Sequence, residues 1–210
     1  MDYIGRKFRG YRKPGVKRKE KKMQGKMKNR AAALALAGVM AVSGAASAVL
    51  PADAAKSSLE KSAEKLVKKA VKKEKNQKKQ LKNLFQYVEK NYGYARVMGF
   101  TAKKGWEKTY AAEMIKKKEG SCYHYAALYA FLAKKATDLP VRICIGTTNG
   151  FQKSRWQPHA WCEIRVGKVW YVFDANMDKF AAGSKGKYFM KSVKSMKSAY
   201  KKSKTVNVKF

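Results

Sequence analysis

Acidic residues are scarce in this chain: 14 Asp and Glu stand against 49 Lys and Arg in 210 residues, a formal net charge of +35. Proline (4), cysteine (3) and histidine (2) are scarcer still. Three cysteines are too few for a disulfide-stapled miniprotein, and an odd number leaves at least one thiol that cannot pair within the chain. Three Cys and two His form no cluster at metal-ligand spacing, so zinc is not expected. No EF-hand-like acidic loop supports calcium. The expectation is no metal and no cofactor. Arginine is nearly absent beyond residue 54, where only Arg96, Arg142, Arg155 and Arg165 occur. Nucleic-acid readers lean on Arg for bidentate contacts, and no zinc-finger or single-strand-binding signature is present. A specific nucleic-acid partner is therefore not expected, despite the charge.

Hydrophobic residues make up 45% of the chain and aromatics 12%, too much for a disordered polymer. The front of the chain has a different composition from the rest. Residues 1–30 hold thirteen of the Lys and Arg against Asp2 and Glu20, and the uncharged, Ala-rich run Ala31 to Val49 follows. Small-residue triplets come next, Ala46-Ser47-Ala48 and Ala52-Asp53-Ala54. A basic n-region, an apolar h-region and an A-x-A site are the parts of a secretory signal peptide, expected over residues 1–54 and cleaved after Ala54 in preference to Ala48. The competing reading is an uncleaved anchor, since the run nearly reaches the roughly 20 residues that span a bilayer. Export implies an oxidising compartment. Beyond residue 54, 36 of the 49 basic residues remain with 11 acidic ones. An exported polycation of this kind is expected to meet anionic cell-wall polymer or a membrane surface through its lysines.

From Ser57 to about Lys75, Leu59, Ala63, Leu66 and Ala70 recur at helical spacing opposite a Lys face, with Ser57 or Ser58 as cap. Residues 55–79 therefore read as a Lys-rich helical leader, solvated or lying on a surface, ahead of a domain over 80–210. A second stripe, Leu81, Leu84, Phe85, Val88 and Tyr92, predicts a helix packed on that domain. The tail, Gly183 to Phe210, suggests a short docked strand or helix without chemistry.

The first chemically informative run is Glu119-Gly120-Ser121-Cys122-Tyr123-His124. Gly120 ends a helix of about Gly105 to Lys118, and Ser121 can cap a new one whose apolar residues Tyr125, Leu128, Phe131 and Leu132 mark it as buried to about Thr137. Cys122 then sits in a first helical turn, where unpaired N–H groups and the helix dipole favour an anionic sulfur and offer donors to an oxyanion beside it. Three strands follow: Val141 to Gly146, His159 to Val166, and Val169 to Phe173 running into Asp174. A two-residue type II′ loop at Gly167-Lys168 pairs Val166 with Val169 and makes His159 and Asp174 diagonal neighbours on one face. Sliding the loop to Val166-Gly167 would set them directly opposite. Either way the carboxylate can fix the imidazole, and the imidazole can exchange a proton with Cys122. Trp161 and Trp170 share that face and are candidates to line the substrate cleft and exclude water. His124 points elsewhere and reads as structural. Cys144 and Cys162 lie on neighbouring strands, Cys162 facing away from His159, and are either a disulfide or two small buried thiols.

These pieces resemble the transglutaminase-like superfamily, in particular its bacterial secreted members. The resemblance runs from about Leu81 to Asp178, more weakly to the end. It is carried by Gly120-Ser121-Cys122 with Tyr125-Ala126, by Leu139-Pro140-Val141-Arg142 entering a strand, by His159-Ala160-Trp161-Cys162-Glu163, and by Trp170-Tyr171-Val172-Phe173-Asp174. The resemblance implies an α+β fold with a papain/transglutaminase-like core, a Cys-bearing helix packed on an antiparallel sheet carrying His and Asp. It implies Cys122 as nucleophile, His159 as base and Asp174 as the group that orients it, acting through a thioester on a protein or peptide amide. The family's second oxyanion donor has only candidates here, Trp106, Tyr92 and Tyr94. The alternative is an inert domain of the same fold that binds wall polymer.

Overall fold

The computed structural model describes residues 57–210, so the expected signal peptide and its cleavage sites lie outside the described residues. Among the described residues, five helices and seven strands follow one another: α1 (Ser58–Val71), α2 (Gln77–Asn91), β1 (Gly93–Tyr94), α3 (Trp106–Lys117), β2 (Glu119–Gly120), α4 (Cys122–Thr137), β3 (Val141–Thr148), β4 (Gln157–Val166), β5 (Val169–Phe173), α5 (Ala175–Phe180), β6 (Lys191–Ser192) and β7 (Tyr200–Asn207), with a 3₁₀ turn at Lys194–Met196.

Helix α4 is the centre of the core. Every residue from Cys122 to Ala133 is buried, as expected of a helix that is apolar around its whole circumference. Its buried tyrosines find carbonyl acceptors on the neighbouring chain: Tyr125 Oη donates to the Tyr92 carbonyl at 2.6 Å, and Tyr129 Oη to that of Leu81 at 3.1 Å. Helix α2 faces this core with Leu81, Leu84, Phe85 and Val88, the i, i+3, i+4, i+7 stripe of an amphipathic helix. Asn76 caps it by accepting the Lys79 N–H at 3.1 Å.

The stretch expected as a separate leader is part of this packing. Ser57 caps α1 by accepting the Glu60 N–H at 3.2 Å, and Leu59, Ala63 and Val71 are buried in the same core as α4. The Lys face is solvated, but the apolar face has a partner, and Lys135 of α4 pairs with Glu60 at 2.8 Å.

Five strands form an antiparallel sheet in the order β6-β5-β4-β3-β7. Alternation divides its residues between two faces. Ile143, Ala160, Cys162, Ile164 and Phe173 join the core around α4. Cys144, Trp161, Val172 and Tyr200 form a second cluster, covered by Tyr188, Val193, Met196 and Ala199. Cys144 pairs with Trp161 and Cys162 with Ile143 in the β3–β4 ladder, so the two cysteines occupy opposite faces. All three cysteines are unpaired and buried, and the disulfide alternative is set aside. The tail does dock as a strand, but a longer one than expected: β7 runs eight residues along β3 and completes the sheet. Gly146 permits this. A Cβ there would lie 2.0 Å from the Lys201 carbonyl oxygen, at a register shift between the two strands.

Candidate active site

The β4–β5 hairpin has the two-residue loop. Val166 pairs with Val169 and Cys162 with Phe173, and Gly167 takes φ +60 while Lys168 stays in ordinary space, as a type II′ turn requires. In this register the chain leaves β5 at Asp174, one step beyond Phe173. Asp174 is the N-cap of α5 rather than a strand residue, its Oδ1 accepting the Met177 N–H at 3.0 Å. The other carboxylate oxygen, Oδ2, meets His159 Nε2 at 2.6 Å. Both side chains are almost wholly buried. Oδ2 also accepts the hydroxyl of Tyr200, at 2.8 Å from the first residue of β7.

Burial is the largest single influence on the His159 ring and favours its neutral form. It is outweighed by the Asp174 charge, by the Cys122 sulfur and by hydrogen bonds to both, which together push the ring up to about 10. The carboxylate and the sulfur thus favour the charged form of the ring. Asp174 takes Nε2, so a proton exchange with Cys122 would use Nδ1. Tyr200 is held far above the ordinary phenol range by burial and by the Asp174 charge, so it remains a neutral donor.

Cys122 opens α4. The turn before it is set by Ser121 and His124: the imidazole Nδ1 of His124 accepts the Ser121 N–H at 3.2 Å. This is the returning half of a capping box with His in the place usually held by Glu or Gln. Burial and Lys117 outweigh Glu113 and keep the His124 ring below its ordinary value, the neutral form an acceptor nitrogen requires. His124 is structural, as the sequence suggests. Gly120 lies directly beneath, where a Cβ would fall 2.6 Å from His124 Cβ and 2.8 Å from Met114 Sδ. The parallel β1–β2 bridge pairs Tyr94 with Gly120 and brings the Tyr94 phenol within electrostatic range of Cys122.

Trp161 and Trp170 do not line the cleft formed by Tyr94, Phe151, Gln157, Asn176 and Phe180. Trp161 is 1% exposed. Its ring lies behind His159 at 6.4 Å and against Tyr200 at 4.6 Å, and its Nε1 donates to Glu163 at 3.0 Å. Glu163, equally buried, also receives Arg142 Nε at 2.7 Å and Lys202 Nζ at 3.0 Å. Trp170 pairs with Arg165 near the hairpin tip and stacks under Arg142 at 3.9 Å. That is six positions along β4 from His159, roughly 20 Å at the rise of a strand. Shared parity puts both tryptophans on the right face but cannot reveal that one is covered and the other remote. Of the three oxyanion candidates, Trp106 packs with Phe100, Tyr110 and Tyr123, Tyr92 is buried, and only Tyr94 is exposed beside the sulfur.

The residues that border the open side of the site are different: Tyr94, Phe151, Gln157, Asn176 and Phe180 enclose a cleft of about 310 Å³. The Phe151 ring lies 5.7 Å from His159. Tyr200 and Asn176 escape a reading of the sequence. A tyrosine in a Lys-rich tail gives no local signal of a contact 26 positions away.

The sequence matches the Transglutaminase-like superfamily over residues 64–175, a span that takes in Cys122, His159 and Asp174. No curated protein matches. Among solved structures, a proposed cysteine protease from Cytophaga hutchinsonii is 16% identical with a TM-score of 0.46, over 71% of this chain and 50% of its own. A TGase is 17% identical with a TM-score of 0.44, over 60% of this chain and 32% of its own. The chain thus spans half or less of the length of these structures. The family match covers more than half of the sequence, and the chain belongs to the transglutaminase-like superfamily.

Proposed function

We propose that this protein is a secreted cysteine-dependent enzyme that cleaves or transfers an amide acyl group through Cys122, His159 and Asp174. The observation that carries this reading is the buried His159–Asp174 contact at 2.6 Å, with the Cys122 sulfur close enough to act on the ring. The Cys122 sulfur attacks an amide carbonyl carbon and a C–S bond forms. The carbonyl π electrons move to oxygen, where the N–H groups of the first α4 turn stabilise the charge. As the oxyanion collapses, the C–N bond breaks and His159 gives its proton to the departing nitrogen, leaving an acyl-thioester. His159, now neutral, removes a proton from water or a primary amine as it attacks the thioester, and the C–S bond breaks. Asp174 keeps the ring oriented throughout. Water gives hydrolysis and an amine gives transamidation.

The test is mass spectrometry of the protein incubated with a Gln-containing peptide, with and without a primary amine. The expected result is a mass gain on Cys122 that water or the amine discharges. Cys122→Ala should abolish turnover while moving the melting temperature little, because only one sulfur at the rim of the core is removed. Undiminished turnover in that variant ends the proposal. Secretion is tested by N-terminal sequencing of the exported product. Cleavage after Ala54 gives a chain that begins Ala55-Lys56-Ser57, whereas a product that keeps Met1 removes the signal peptide from the reading.

A second reading rests on the exposed lysines of the edge strand, Lys201 and Lys204. An inert domain would hold anionic cell-wall polymer through them, with salt-sensitive binding that Cys122→Ala leaves untouched.

A further inference from the structure

The cleft beside Cys122 and His159 differs from the rest of the surface. The residues beyond position 54 are strongly basic, yet none of the five that line the cleft is charged. Three are aromatic and unusually open for their size: Tyr94 is 48% exposed, Phe180 41% and Phe151 36%. Tyr94 and Phe180 make a tilted ring contact at 5.7 Å, and Phe151 meets the His159 ring edge-on at 5.7 Å. Two cations act on the lining rings. Lys179 is bound to the Tyr92 carbonyl at 2.6 Å and lies over the Phe180 ring, and Arg96 acts on Tyr94.

Asn176 supplies an independent observation. The residue is 1% exposed, and among the described residues neither its carboxamide oxygen nor its nitrogen has a hydrogen-bond partner. A buried amide left unpaired is costly, because its lost hydration is not replaced. The remedy is a ligand group that both donates and accepts, and a peptide unit does both. At about 310 Å³ the cleft lies at the small end of ligand pockets, about 300–1,000 Å³. That is room for one large side chain and the peptide group next to it.

We infer that this cleft is the subsite for the acyl donor's neighbouring residue, that it takes a large neutral apolar side chain between Tyr94, Phe151 and Phe180, and that Asn176 pairs with the adjoining peptide amide. The inference rests on the function proposed above and names the class of its substrate. Exposed aromatic rings gain most from covering an apolar group, and the Lys179 and Arg96 charges disfavour a cationic one.

The test uses the full chain carrying Cys122→Ala, which separates binding from turnover. Four peptides, acetyl-X-Gln-Gly-amide with X as Phe, Leu, Lys or Glu, are titrated by calorimetry. The Phe and Leu peptides should bind at least tenfold more tightly than the Lys and Glu peptides. Phe151→Ser with Phe180→Ser, both at exposed positions, should erase that preference. Asn176→Leu should weaken the Phe and Leu peptides alike. Equal binding of all four, a preference that survives the double substitution, or no measurable binding of the Phe peptide each overturns the subsite. The wild-type protein run with the same peptides keeps the two ideas apart. Preference without acylation removes the enzyme and keeps the subsite, whereas equal acylation of all four keeps the enzyme and removes the subsite.

Discussion

Asp174 has two oxygens and three partners, and that arithmetic defines the site. Oδ1 is spent on capping α5, so Oδ2 alone serves His159 and Tyr200. Tyr200 fixes the oxygen that fixes the ring. Tyr200→Phe removes one hydrogen bond to a charged group, worth about 1.5–3 kcal/mol, and leaves the aromatic packing on Trp161 in place. If the proposed chemistry holds, kcat should fall about tenfold or more, at roughly 1.4 kcal/mol per factor of ten, with KM nearly unchanged. Steady-state kinetics on the Gln peptide check this, and an unaltered kcat would confine Tyr200 to packing. His159 gives a prediction that needs no substrate. Its folded value lies above its unfolded one, so the ring's contribution to stability is complete below about pH 6.5. It declines as pH rises through about 10. Urea unfolding of the wild type and His159→Gln should therefore differ most at pH 6 and progressively less toward pH 10. A constant difference across that range would mean that the ring is not held protonated.

At the scale of elements, the sequence is legible wherever the controlling interaction is short in range. Helix α4 begins at Cys122 because Gly120, Ser121 and His124 lie within five residues of one another, and the spacing alone places the sulfur at its N-terminus. The hairpin register follows from Gly167, so the His159–Asp174 contact can be reached by counting outward from the turn. Strand β7 is not legible as such. YKKSKTVN has polar residues on both faces, because an edge strand buries little, and its place is set by β3, more than fifty positions earlier. The same range effect explains Trp161 and Trp170. Alternation gives a side chain's face, but which part of that face is covered depends on Val193, Met196 and Tyr200, segments whose docking no local pattern announces.

For the whole molecule, the decisive question is where the folded unit begins. The Lys-rich composition of 55–79 suggests a solvated leader, since charge density dominates any average over that stretch. Packing depends instead on a few apolar positions, and Leu59, Ala63 and Val71 are enough to seat α1 on the core of α4. The family match agrees with this, opening at residue 64, inside α1. The consequence for the site is indirect but physical: α4 carries Cys122 at one end and the α1 contact along its length, so α1 helps hold the helix that aims the sulfur. Leu59→Ala deletes buried methyl groups at the margin of this contact. It should lower the unfolding free energy by about 2–3 kcal/mol, the low end of the range for such truncations. Lys61→Ala, on the exposed face of the same helix, should change it by no more than about 0.5 kcal/mol. Denaturant titration of the two variants separates the cases. A free leader would leave both indistinguishable from wild type, whereas a docked helix makes only the leucine substitution costly.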